Sequence, residues 1–197
     1  MCIPDPRAPS PRQRGITFIE LIIFIMVVGI GVAGILLVYS VTLKGSTDPM
    51  VRKQLLAVAE AVMEEAQLMA FTICDPDDSQ AATAASSANC TGGTDGANDE
   101  SKLPLGPETG EIRGSNTTPF DNVSDYHGYS IAGITDIAGN AIPGLGAYSV
   151  QVTVSQLSLN GIPAAESLSI TVTASGPGNQ SLSLSGFRTR YAPNAVP

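Results

Sequence analysis

The hydrophobic rhythm of the chain changes three times. From Leu21 to Tyr39 no residue carries a charge, and most are Leu, Ile, Val, Phe or Met. A helix of that length matches a bilayer core of roughly 30 Å, so the run predicts one membrane-crossing helix within residues 16–44. The apolar pattern continues to Leu43 and breaks at Lys44-Gly45-Ser46-Thr47-Asp48-Pro49. Asp48 suits an N-cap and Pro49 a first helical turn, which starts an amphipathic helix over 49–71. Val51, Leu55, Val58, Val62, Ala66 and Met69 recur at steps of three and four, forming one apolar stripe. Arg52 and Lys53 near its start and Glu60, Glu64 and Glu65 near its end oppose the favourable dipole arrangement. They read as a solvated face, or as charges that meet other chains.

Beyond Thr72 the pattern loses its helical period. Residues 75–118 are rich in Asp, Ser, Ala, Gly and Asn and predict a long irregular connection that must be pinned to persist. Period two then takes over. Tyr148, Val150, Val152 and Val154 alternate with Ser149, Gln151, Thr153 and Ser155, and Leu168, Ile170, Val172 and Ala174 alternate with Ser169, Thr171 and Thr173. A third run carries Leu182 and Leu184 toward Phe187, and Tyr126–Ile131 adds a shorter strand. Asn160-Gly161 and Gly176-Pro177-Gly178-Asn179 supply turns. One apolar face per strand predicts an antiparallel meander over about 126–191 lying on a helix, an α+β fold.

Charge sharpens this picture. Arg7, Arg12 and Arg14 precede the apolar run against the single acid Asp5, leaving seven basic and seventeen acidic side chains in the rest. The basic end predicts a cytoplasmic N-terminus by the positive-inside tendency. The acidic remainder argues against nucleic-acid binding, which needs clustered Lys and Arg. Cys2 lies before the span, whereas Cys74 and Cys90 lie after it. Export into an oxidising compartment makes a Cys74–Cys90 disulfide the expected reading, closing a loop over 74–90; two buried free thiols are the alternative.

The order of features at the N-terminus differs from that of a secretory signal, in which the cleavage site follows the apolar core. Here the arginines run directly into Gly15, and the apolar segment follows, with Glu20 at its head. A carboxylate at the rim of a membrane helix is costly and invites a functional explanation. The segment RGITFIELIIFIMVVGI resembles the prepilin signature shared by type IV pilins and type II secretion pseudopilins. The resemblance implies a leader over 1–15 and cleavage between Gly15 and Ile16 by a membrane prepilin peptidase. It also implies N-methylation of Ile16, and pairing of Glu20 with the terminal amine of an adjacent subunit during assembly. Ile16 departs from the phenylalanine or methionine usual after the cut. The implied architecture is pilin-like, a long N-terminal transmembrane helix packed on a C-terminal antiparallel sheet, with residues 45–197 as the exported domain. Gly29, Gly31 and Gly34 read as a small-residue packing face or as points of helix flexibility.

The run from Gly45 to Asp78 is similar to MshD-type minor pilin-like proteins of the mannose-sensitive haemagglutinin pilus. That resemblance implies a low-abundance structural subunit, anchored in the bacterial inner membrane with a periplasmic domain and then carried into a filament. Its partners are the peptidase and other pilin subunits. A minor pseudopilin of type II secretion, or a filament-tip adhesin, are the alternatives.

No enzyme chemistry is legible. His127 is the one histidine, without a nucleophile elbow or metal motif, and reads as a surface or turn residue. No catalytic residue and no cofactor is assigned. Asp75, Asp77, Asp78, Asp95, Asp99 and Glu100 could ligate calcium, but their spacing is not that of an EF-hand loop. A solvated acidic loop is the reading adopted, with no metal assigned. Asn116-Thr117-Thr118 and Asn122-Val123-Ser124 match glycosylation sequons, a pattern frequent by chance.

Overall fold

Helix α1 spans Phe18–Ser46 and is apolar all round, with every described side chain from Gly15 to Ser40 exposed. The computed structural model describes residues 15–46 and 48–196, and side chains outside 41–48. Arg7, Arg12, Arg14 and Cys2, and the side chain of Asp48 expected to cap α2, lie outside what is described. A helix without a polar face suits lipid rather than a water-facing surface. Within α1, Phe18–Ser40 is long and apolar enough to cross a membrane; its 23 residues extend about 34 Å. The helix runs unbroken through Gly29, Gly31 and Gly34, whose faces are open.

The chain divides into two compact units, the first ending at Thr47 and the second starting at Asp48. The second opens with α2, Asp48–Leu68. Leu55, Val58, Ala59, Val62, Met63 and Ala66 are buried along one face, the predicted stripe widened by Ala59 and Met63. Helix α2 ends three residues before the expected boundary at 71. Ala70 instead pairs with Asn122 in a parallel bridge, its carbonyl accepting the Val123 N–H at 3.0 Å, and Phe71 turns into the core. Tertiary pairing outbids helical propensity there.

Four antiparallel strands follow in sequence order: β1 Ser130–Ala132, β2 Ser149–Gln156, β3 Ser167–Gly176 and β4 Gln180–Thr189. Tyr126 belongs to a short 3-10 turn, Ser124–Tyr126, rather than to β1. Register places Val152 opposite Val172 and Val154 opposite Ile170, so both strands send their apolar residues to the side that α2 covers. The other face is a hydroxyl ladder, with Thr171 bonded to Ser185 and Thr173 to Ser183. Helix α2 packs on β3 and β4. Gly186 lies on the inner side of β4, where a Cβ would come within 2.5 Å of Gln67 and 3.1 Å of Met63. The absent side chain lets helix and strand approach closely.

The irregular middle is pinned by several devices. Cys74 and Cys90 are joined by a disulfide. Asp78 accepts the backbone N–H groups of Gln80 and Thr91, and Asp99 accepts those of Asp95 and Ser101. The C-terminal segment adds a clasp: Asn194 donates to the carbonyls of Ala81 and Ala84 at 2.8 and 2.9 Å, and Pro193 accepts the Ile73 N–H. Asp75, Asp78, Asp99 and Glu100 are buried, so the expectation of a solvated acidic loop is corrected; only Asp77 and Asp95 of that set are exposed. Short Asp side chains satisfy loop N–H groups better than water can once the loop packs down.

Candidate functional site

The first turn of α1 is built by Thr17. Its hydroxyl oxygen accepts the Glu20 N–H at 3.4 Å, and its carbonyl accepts the Leu21 N–H at 3.1 Å. Thr17 with Glu20 three residues on is the sequence pattern of a helix start, a second signal beside the glutamate itself. The carboxylate of Glu20 also sits where the positive end of the helix dipole favours a negative charge. Its side chain is exposed and makes no ion pair among the described residues. Gly15 and Ile16 precede the helix in exposed chain outside regular secondary structure, Ile16 being 75 % exposed. The peptide bond between them is accessible, as a protease substrate must be. A Cβ on Gly15 would meet nothing within 4 Å, so the fold makes no demand for glycine there.

A second polar centre lies under α2. Arg113 grips Glu65 with both arms of its fork, Nε to Oε1 and Nη2 to Oε2, each at 2.6 Å. Tyr126 donates its hydroxyl to the same Oε1 at 2.7 Å. Glu65 therefore leaves the solvated set expected for the α2 acids, while Arg52, Lys53, Glu60 and Glu64 remain exposed. Gly114 makes this possible: at φ +72°, a Cβ there would lie 1.9 Å from the Ile137 carbonyl oxygen, so only glycine brings Arg113 against its neighbours. Burial alone would raise the Glu65 carboxyl, but the hydrogen bonds from Arg113 and Tyr126 and the guanidinium charge outweigh it and hold it low. We expect Arg113→Ala to destabilise the domain by about 3 kcal/mol, because it leaves Glu65 partly buried without its cation. Urea unfolding at neutral pH measures this. The folded pKa of Glu65 lies below its unfolded value, so the difference between wild type and variant shrinks as acid protonates Glu65. An unchanged midpoint at neutral pH refutes the assignment.

His127 is partly buried, and its Nδ1 accepts the Val154 N–H at 3.2 Å, fastening the 124–126 turn to β2. Asn122 is fully buried, with its amide donated to Thr72 at 2.9 Å, so the second sequon is closed to modification in the folded chain. A group of acids gathers near it. Burial, then the charges of Asp75, Asp77 and Glu108, push the Asp121 carboxyl up to about 7. Burial likewise raises Glu100, Glu111 and Asp125, and neighbouring acids add to it.

The family of the prokaryotic N-terminal methylation motif matches residues 10–36. No curated protein and no solved structure matches the chain. The matched segment covers Gly15, Ile16, Thr17 and Glu20 together with most of the apolar span. The chain thus carries a prokaryotic N-terminal methylation motif over 10–36, and that motif runs into an apolar helix long enough to cross a membrane.

Proposed function

We propose that this chain is a minor pilin-like subunit of a type IV pilus of the mannose-sensitive haemagglutinin type. It enters the inner membrane through α1 with a cytoplasmic leader and a periplasmic domain. Prepilin peptidase cuts it between Gly15 and Ile16 and methylates the new amine of Ile16. Glu20 then receives the terminal amine of an adjacent subunit as the helix joins the filament. The observation that carries the reading is the methylation motif running directly into the apolar span. A carboxylate that becomes buried as helices pack in a filament needs a cationic partner, and the terminal amine of an adjacent subunit can provide one. The run from Gly45 to Asp78 supports the choice of pilus.

Intact-mass measurement of protein from peptidase-containing cells tests processing. The expected species begins at Ile16 and carries one added methyl group; a different terminus overturns the proposal. Shearing filaments from the same cells and identifying the co-purifying subunits tests the system. Pilus subunits support the proposal, whereas type II secretion components reassign the chain as a pseudopilin.

A further inference from the structure

Acidic side chains from separate stretches of the irregular segment converge below its surface. Oxygens of Asp75, Glu100 and Glu108 lie within 4.8 Å of one another, and so do those of Glu108, Glu111 and Asp125. Glu108 belongs to both groups and sits at the centre. Solvated acids would point outward, yet Asp125 is fully buried and Glu100 is 3 % exposed.

The hydrogen bonds of these two residues are one-sided. Asp125 accepts the N–H groups of Asp121 and Asn122 on Oδ2, at 3.0 and 2.7 Å, while its buried Oδ1 has no hydrogen-bond partner. Glu100 accepts the Ser124 hydroxyl on Oε2, while its buried Oε1 has none. Glu108 Oε2 is in the same position. Buried polar atoms are normally satisfied, so several unsatisfied carboxylate oxygens within one acidic cluster call for a shared cationic partner. Among the described residues no ion pair reaches the cluster: Arg113 is paired with Glu65, Arg190 is paired with Glu166 and meets Glu100 only as a more distant charge, and Lys102 at the cleft wall is exposed. A cleft of about 190 Å³, lined by Glu100, Glu108 and Ser124 among others, gives an ion a route from solvent.

We propose that this cluster, centred on Glu108, binds calcium and ties the irregular segment to the domain core. The donor set selects the ion. Every donor is a carboxylate oxygen, which suits a hard cation, and no imidazole or thiolate is present, because Cys74 and Cys90 are joined to each other. Calcium accepts six to eight oxygens in irregular geometry, whereas magnesium demands a near-octahedral shell and keeps its waters. Ligands drawn from residues 75 to 125 leave no contiguous loop motif. Asp78 and Asp99, candidates by sequence, already have loop N–H groups on their oxygens.

The test uses full-length protein in detergent, stripped with chelator and titrated with calcium or magnesium at matched ionic strength. Calorimetry should show calcium binding at about 1 mM or tighter, the range of extracellular calcium modules. The melting temperature should rise by several degrees with calcium and clearly less with magnesium. Glu108→Gln should lower calcium affinity at least about tenfold, as much as the loss of an outer-shell partner costs elsewhere. In chelator, the same variant should melt no lower than wild type, since one of several crowded charges is gone; this separates lost binding from misfolding. Glu64→Gln, on the exposed face of α2, should bind like wild type. Absent calcium binding, equal stabilisation by both ions, or undiminished binding in Glu108→Gln each overturn the site.

Discussion

Replacing Glu20 by alanine or leucine should leave the protein in the membrane and remove it from the filament. Two small terms act on insertion, and they oppose each other. Loss of a negative charge at the helix N-terminus costs about 0.5 kcal/mol of dipole interaction. Relief from burying a carboxylate within a membrane helix returns up to about 3 kcal/mol, depending on depth. The helix start itself survives, because Thr17 caps the backbone N–H of residue 20, which any amino acid supplies. Insertion is therefore unharmed or improved. Assembly responds in the opposite sense. Removing one partner of a buried charge pair costs about 3–5 kcal/mol, here borne by the amine of the neighbouring subunit. Since about 1.4 kcal/mol is a tenfold change, incorporation should fall at least a hundredfold. Quantitative immunoblots of membrane and sheared-filament fractions measure both effects. Equal incorporation by wild type and both variants would exclude the pairing role of Glu20.

What could be read from the sequence follows the range of the interactions involved. The apolar span, the α2 stripe and the alternation of β2 and β3 are local periodicities, and the structure reproduces them. Asn160 and Gly161 both adopt positive φ in a tight hairpin closed by Leu159 and Ile162, as their pairing predicts. The failures are long-range. Nothing near Glu65 announces Arg113, which lies 48 residues away and reaches it only because Gly114 allows two backbones to touch. Asn194, near the other end of the chain, clasps the loop at Ala81 and Ala84.

The acidic residues show a different limit. Of the six acids noted in the sequence, Asp75 and Glu100 join the groups around Glu108 and the other four do not. Asp78 and Asp99 are consumed by turns, whereas Glu108, Glu111, Asp121 and Asp125 enter from stretches that sequence spacing cannot relate. At the N-terminus the situation reverses. There recognition by a protease would depend on a contiguous segment, and the methylation motif over 10–36 is a contiguous pattern that needs no fold to be read.

Gly15→Val should abolish processing without disturbing the folded chain, and the structure separates those two effects. Many glycines are needed for backbone reasons, as Gly114 is, with its positive φ and a carbonyl where a Cβ would go. Gly15 shows no such close approach: an added Cβ meets nothing within 4 Å. Valine there displaces no described atom. A protease that must bring the backbone of the scissile bond against its catalytic groups faces a different situation, because a branched side chain holds the chain away. A displacement of about 1 Å at a reacting centre can cost a hundredfold in rate. Uncleaved precursor should accumulate in the membrane with its leader attached. Its domain should melt at the wild-type temperature, and the filament fraction should lack it, because Ile16 has no free amine to offer. Gly15→Ala, which adds one methyl group, should be cut at an intermediate rate. Pulse-chase labelling resolved by the mass of the leader reads all three proteins together. Normal cleavage of the valine variant would mean that the peptidase does not read position 15, and the cut would have to be sought elsewhere in residues 10–36.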